Sequence, residues 1–167
     1  MNADELRALQ APLKQRYRTE PGSALVTSRA EVVLDPQRLS ATLAADQPRI
    51  AGLHPATGGS GEEACSADLL LESLAACAAV TLLAVATSMG AGLSGGKIIA
   101  EGAWDARGTL GIDKSVPVGL RSVELTFELQ GSLDEPTRRR LIETTERYCV
   151  ILATLRDPPK VAIRVKP

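Results

Sequence analysis

Aromatic side chains are nearly missing from these 167 residues, with Phe, Tyr and Trp together making up 2%. A core must therefore come from Leu, Val, Ile and Ala, and a hydrophobic content of 44% is enough to form one. Few rings are left to stack on bases, and 19 basic against 20 acidic residues leave no basic patch, so nucleic acid is not an expected partner. Histidine and cysteine are also scarce. His54 stands alone, and Cys65, Cys77 and Cys149 form no CxxC pair, which excludes a closed zinc site at ordinary ligand spacings. No metal and no cofactor are expected. An odd cysteine count argues against a stapled secreted scaffold. The opening residues, MNADELRALQ, lack the charged start and apolar run of a secretory signal, which points to a cytoplasmic protein.

What the chain does contain is one long apolar segment, DLLLESLAACAAVTLLAVATSM from Asp68 to Met89. Glu72, Ser73, Thr81, Thr87 and Ser88 interrupt it, so a buried core helix is expected rather than a membrane span. Ser66 is a suitable N-cap, Asp68 places negative charge in the first turn, and Gly90 is a natural stop. Having no polar face, this helix is expected to be buried on all sides; at about 33 Å it would be the spine of the fold. A helix this apolar in a domain this small also predicts a homo-oligomer.

Around it, Ala3 to Tyr17 reads as an amphipathic helix ended by Pro21-Gly22. Strands are expected at Ala24–Leu34 and Leu39–Ala45, joined by an Asp35-Pro36-Gln37-Arg38 turn, and at Arg49–Leu53. A Gly-rich loop, HPATGGSGEEACS, leads into the long helix. Further strands are expected at Lys97–Trp104, Arg121–Gln130 and Val161–Val165. A second helix from Pro136 to Tyr148, capped by Asp134, precedes a further turn at Val150–Leu155. This order predicts an α+β fold: residues 1–22 form an N-terminal helix and linker, and residues 23–167 a single domain.

Three cysteines and one histidine compete for a chemical role. Cys77 lies mid-helix among alanines, where the dipole of its own helix has faded; an active thiolate there needs a cation from elsewhere, and otherwise Cys77 is a small buried hydrophobe. Cys65, just before the helix, has the better local electrostatics. Cys149 ends a helix, which raises a thiol pKa and suits a resolving partner better than an attacking group. His54 is a candidate for a Cys–His pair or a plain loop residue. The GGSG run lacks the Lys-Ser/Thr of a phosphate loop. Residue chemistry alone leaves these alternatives open.

Gly58-Gly59, DLLLESLAACAAVTL at 68–82 and ERYCVI at 146–151 together resemble the OsmC/Ohr family, osmotically inducible protein C and organic hydroperoxide resistance protein. The resemblance runs from about Leu25 to Val165. It implies an OsmC-like α+β fold, with two antiparallel sheets around long central helices in an intertwined homodimer. It also implies thiol-dependent reduction of organic hydroperoxides. Cys77 would be the peroxidatic thiolate and Cys149 the resolving thiol, with a small dithiol or a lipoylated protein as reductant. The family arginine that supports the thiolate matches Arg38, with Arg29 as the alternative. The family glutamate that holds this arginine is replaced in Ser66-Ala67-Asp68, where Asp68 is the candidate. The competing reading is a non-enzymatic redox-sensing or ligand-binding dimer on the same fold.

Overall fold

The computed structural model describes residues 1–27, 30, 32–35, 40–43 and 49–166. The chain forms two compact units. The first comprises Met1–Ala8, Ser73–Ile98 and Phe127–Pro167; the second comprises Leu9–Glu72 and Ile99–Thr126. The fold is mixed α and β, as expected, with helices and two small sheets.

Helix α1 (Ala3–Thr19) matches the expected amphipathic segment, but none of its residues is buried. The first expected strand is shorter than its apolar pattern suggests. Pro21–Ala24 forms a 3-10 turn, and strand β1 covers only Val32–Asp35. It pairs antiparallel with β2 (Ser40–Leu43), which pairs antiparallel with β3 (Arg49–Gly52). The short β4 (Ala64–Cys65) then joins β3 in parallel, with Cys65 opposite Gly52. The expected Asp35–Arg38 turn lies, beyond Asp35, outside the described residues.

Helix α2 runs from Ser66 to Met89, so Ser66 is its first residue rather than its cap. Its stop is the one expected. Gly90 takes a left-handed φ of 62°, and two crossed bonds close the end: Gly90 N–H to Thr87 O at 3.1 Å and Ala91 N–H to Ala86 O at 2.9 Å. The expectation of all-round burial does not hold. Leu74, Ala78, Leu82 and Ala86, spaced every four residues, form the buried stripe. Val80 and Leu83, on another face, are 68% and 56% exposed. By length and composition α2 could cross a membrane. Its buried stripe, however, packs as a core helix does: in the first unit Leu82 and Ala86 meet Leu141, with Leu93, Phe127 and Leu129 around them.

Strand β5 (Gly92–Ala103) begins earlier than expected. Its glycines admit a close neighbour. A side chain on Gly96, at φ 151°, would collide with the Glu128 carbonyl of β6 (Ser122–Ser132). Gly92 lies against Ser132, and Arg121 N–H donates to Ala103 O at 2.7 Å, so β5 and β6 run antiparallel. Between them is the single-turn α3 (Ala106–Thr109), capped by Asp105.

Helix α4 (Glu135–Tyr148) starts where its signals place it. Thr137 N–H donates to Asp134 Oδ1 at 2.9 Å, and a proline stands in the first turn. Helix α5 (Val150–Arg156) follows after a single residue, Cys149. The expected strand at Val161–Val165 is not formed. That segment is irregular and exposed, with Val161, Ile163 and Val165 between 84% and 91% accessible. An alternating sequence supplies only one side of a ladder, and among the described residues no neighbouring strand supplies the other.

Candidate thiol site

The residues of interest in the first unit meet where α4 gives way to α5. Cys149 leaves helical geometry with φ −72° and ψ 108°, and serves as the last cap of α4 and the first cap of α5 at once. Its N–H donates to Thr145 O, and its carbonyl accepts from Ala153 N–H, both at 2.9 Å. Its side chain forms no cap bond. The first N–H groups of α5 therefore have no partner within their own helix, as at any helix start.

They are used by sulfur. Cys77 on α2 is half-buried and Cys149 fully buried, both as free thiols. Burial alone would push the Cys77 thiol up. Against it stand the Ile151 N–H, the Cys149 thiol, the Val150 N–H and the Thr81 hydroxyl. Together they win, and hold Cys77 below the range of an ordinary cysteine. All four are neutral. Thr81 belongs to α2 itself, one turn after Cys77.

Cys149 moves the other way. Burial pushes it up, the Leu152 and Ile151 N–H groups pull it down, and Cys77 pushes it up again as the acceptor of its proton and as a nearby charge; the net direction is up. The pair is therefore asymmetric. Of the two thiols, Cys77 is the one that ionises more readily and Cys149 the one that holds its proton more firmly.

The other sequence candidates are placed differently. Arg38 and Arg29 lie outside the described residues. Asp68 is exposed in the first turn of α2. Cys65, in the second unit, is half-buried in β4. His54, in the same unit, accepts from Ala56 N–H through Nδ1 at 3.0 Å and packs edge-on against Trp104, with ring centres 5.1 Å apart. That unit also holds an ion pair the sequence reading did not anticipate. Arg49 grips Glu72 with two bonds of 2.6 and 3.1 Å, tying β3 to the start of α2.

Sequence reasoning missed the start of α5 as the source of donors. It demanded a cation for Cys77, because the dipole of α2 cannot reach it. The available signal was the break at Cys149 between two helical segments, since a second helix start always brings free N–H groups. Among the described residues, no cluster of three or more His, Cys, Asp or Glu is placed to hold a metal ion.

Residues 59–164 match the family described as OsmC-like protein. Among solved structures, an OsmC-like protein from Mycoplasma pneumoniae is similar at 21% identity, covering 80% of this chain and 89% of that one, with a TM-score of 0.67. The organic hydroperoxide resistance protein OsmC from Legionella pneumophila is similar at 18% identity and a TM-score of 0.63, over 80% of this chain and 92% of that one. An organic hydroperoxide resistance protein from Elizabethkingia anophelis matches at 18% identity and 0.63, covering 80% and 91%. These likenesses concern the fold. No curated protein matches the sequence significantly.

Proposed function

We propose that this chain, which belongs to the OsmC-like family, is a cytoplasmic thiol-dependent reductase of organic hydroperoxides. The observation that carries the reading is the asymmetric pair: Cys77 beside the start of α5 and beside Cys149, with its thiol pulled down while that of Cys149 is pushed up. Two solved proteins of similar fold are named for organic hydroperoxide resistance.

In the proposed reaction the Cys77 thiolate attacks the terminal peroxide oxygen. An S–O bond forms, the O–O bond breaks, and the alkoxide leaves as an alcohol after taking a proton. Cys77 is then a neutral sulfenic acid. Loss of its charge removes one of the causes that keep Cys149 protonated. Cys149 attacks the sulfenic sulfur, a disulfide forms and water leaves. A dithiol or lipoylated protein reduces the disulfide and resets the site. Arg38 and Asp68 enter this proposal as supports of the Cys77 thiolate, with Arg29 as the alternative arginine.

The active form is proposed to be a homodimer. Ser73, Ala76, Val80 and Leu83 are exposed along α2 at alternating spacings of three and four, the pattern of a helix seam. The alternating apolar tail at Val161–Val165 is likewise uncovered. Light scattering should give twice the chain mass of 17.6 kDa. Leu83→Arg should shift it towards a single chain.

Turnover of cumene hydroperoxide with a dihydrolipoyl reductant tests the activity. The intact protein should turn over repeatedly, and Cys77→Ser should not. A slow loss of thiol that stops after one equivalent would instead support the redox-sensing or ligand-binding reading.

A further inference from the structure

The second unit contains a cavity of about 390 Å³ to which the thiol pair contributes no residue. That volume lies within the range of small-molecule sites, roughly 300–1,000 Å³. Leu53, Leu70 and Leu120 supply aliphatic surface, Trp104 and His54 supply two rings, and Cys65 stands in the wall. Among the described residues, no Asp, Glu, Lys or Arg lines it. A charged ligand would lose its water there and find no opposite charge, so the ligand should be neutral.

The site is rigid where specificity would reside. The His54 carbonyl accepts from Thr57 N–H at 2.8 Å, Gly59 N–H at 3.1 Å and the Thr57 hydroxyl at 2.9 Å. Gly59 must be glycine, because a side chain there would run into the Leu53 carbonyl. Nδ1 of His54 accepts from Ala56 N–H. In the neutral ring the proton therefore sits on Nε2, leaving one fixed donor. The Trp104 contact holds the imidazole edge-on. Leu53 and Leu70 remain 42% and 39% exposed, so an apolar body could enter between them.

We propose that this cavity is a separate binding site for a neutral aromatic molecule of one or two rings that carries a carbonyl. The ring packs on Trp104 and the leucines, and the carbonyl oxygen accepts from His54 Nε2–H. Cys65 is covered by the bound ligand.

The probe is 2-acetylnaphthalene, titrated into the full-length protein by calorimetry. Trp104 is the only tryptophan, so its emission reports the site directly. Saturable binding should change that emission and slow alkylation of Cys65 at least about fivefold by peptide mass mapping, with Cys77 alkylation unchanged. The charged 2-naphthoate should bind at least about tenfold more weakly. His54→Phe should weaken 2-acetylnaphthalene by about five- to tenfold and leave naphthalene, which has no acceptor, unaffected. Val118→Tyr, on the exposed rim, should weaken both. Cys77→Ser should bind as the intact protein does, which separates this site from the hydroperoxide reading. Absence of saturable binding, or binding without protection of Cys65, would overturn the proposal. So would equal affinity for the naphthoate, or equal losses of the ketone and of naphthalene in His54→Phe.

Discussion

Cys77 and Cys65 invert what their positions along the chain suggest. Cys65 adjoins the start of the long helix α2, the place where backbone N–H groups and the dipole favour a thiolate. Cys77 lies in the middle of that helix, where neither reaches. In the folded chain Cys65 is a strand residue opposite Gly52, in the wall of an apolar cavity. Cys77 instead gathers donors from α5, roughly seventy residues further along. A thiol is activated by the nearest unsatisfied donors in space, and these can belong to another helix.

The largest test of this contrast is which sulfurs join on oxidation. One equivalent of cumene hydroperoxide should give a Cys77–Cys149 disulfide and leave Cys65 reduced, as read by tryptic mass mapping. Cys149→Ser should stop the reaction at a Cys77 sulfenic acid that dimedone traps. A dominant Cys65–Cys77 product would reverse the assignment.

A narrower test removes one donor and keeps the fold. Val150 is the first residue of α5, where proline is well tolerated, and the extended geometry of Cys149 suits a residue before proline. Val150→Pro deletes one N–H aimed at Cys77. The thiolate is then less stabilised, the pKa rises, and the thiolate fraction at neutral pH falls. Iodoacetamide alkylation of Cys77 should slow by about tenfold, towards the upper end expected for the loss of one hydrogen bond, and its pH profile should move upwards. The stability linkage has the matching sign. A depressed Cys77 pKa adds stability above the unfolded thiol pKa, which is lost as pH falls through the folded value. The variant should narrow that window.

These tests bear on what could be read from the sequence. Local rules sufficed where a single residue decides: Gly90 ends α2, Asp134 caps α4, and the apolar periodicity marks α1. They failed where a partner decides. The early start of β5 depends on Gly96 admitting the Glu128 carbonyl, and Val161–Val165 looks like a strand but has no partner strand among the described residues. At the site, the two cysteine contexts were legible through family resemblance. The donors were not, because nothing in the ERYCVI motif says which sulfur its N–H groups will meet.

The smallest expected effect isolates the donor that α2 itself provides. The Thr81 hydroxyl is the last and weakest of the four groups that lower Cys77. Thr81→Val keeps the branched shape and removes the oxygen, so helix packing changes little. Valine does bring a methyl where the hydroxyl was, and the lost bond leaves the thiolate with three donors. Because the Ile151 and Val150 N–H groups are fixed by α5, they should hold most of the shift. Alkylation of Cys77 should slow only about two- to threefold at neutral pH, well below the Val150→Pro effect, as expected for one weak neutral hydrogen bond. At a pH high enough to ionise Cys77 fully, the two rates should converge, because the hydroxyl acts on the thiolate fraction and not on access to the sulfur. A rate that stays low at high pH would mean that Thr81 shapes the approach to Cys77, and the activation assigned to α5 would then account for more of the thiolate than its order among the donors implies.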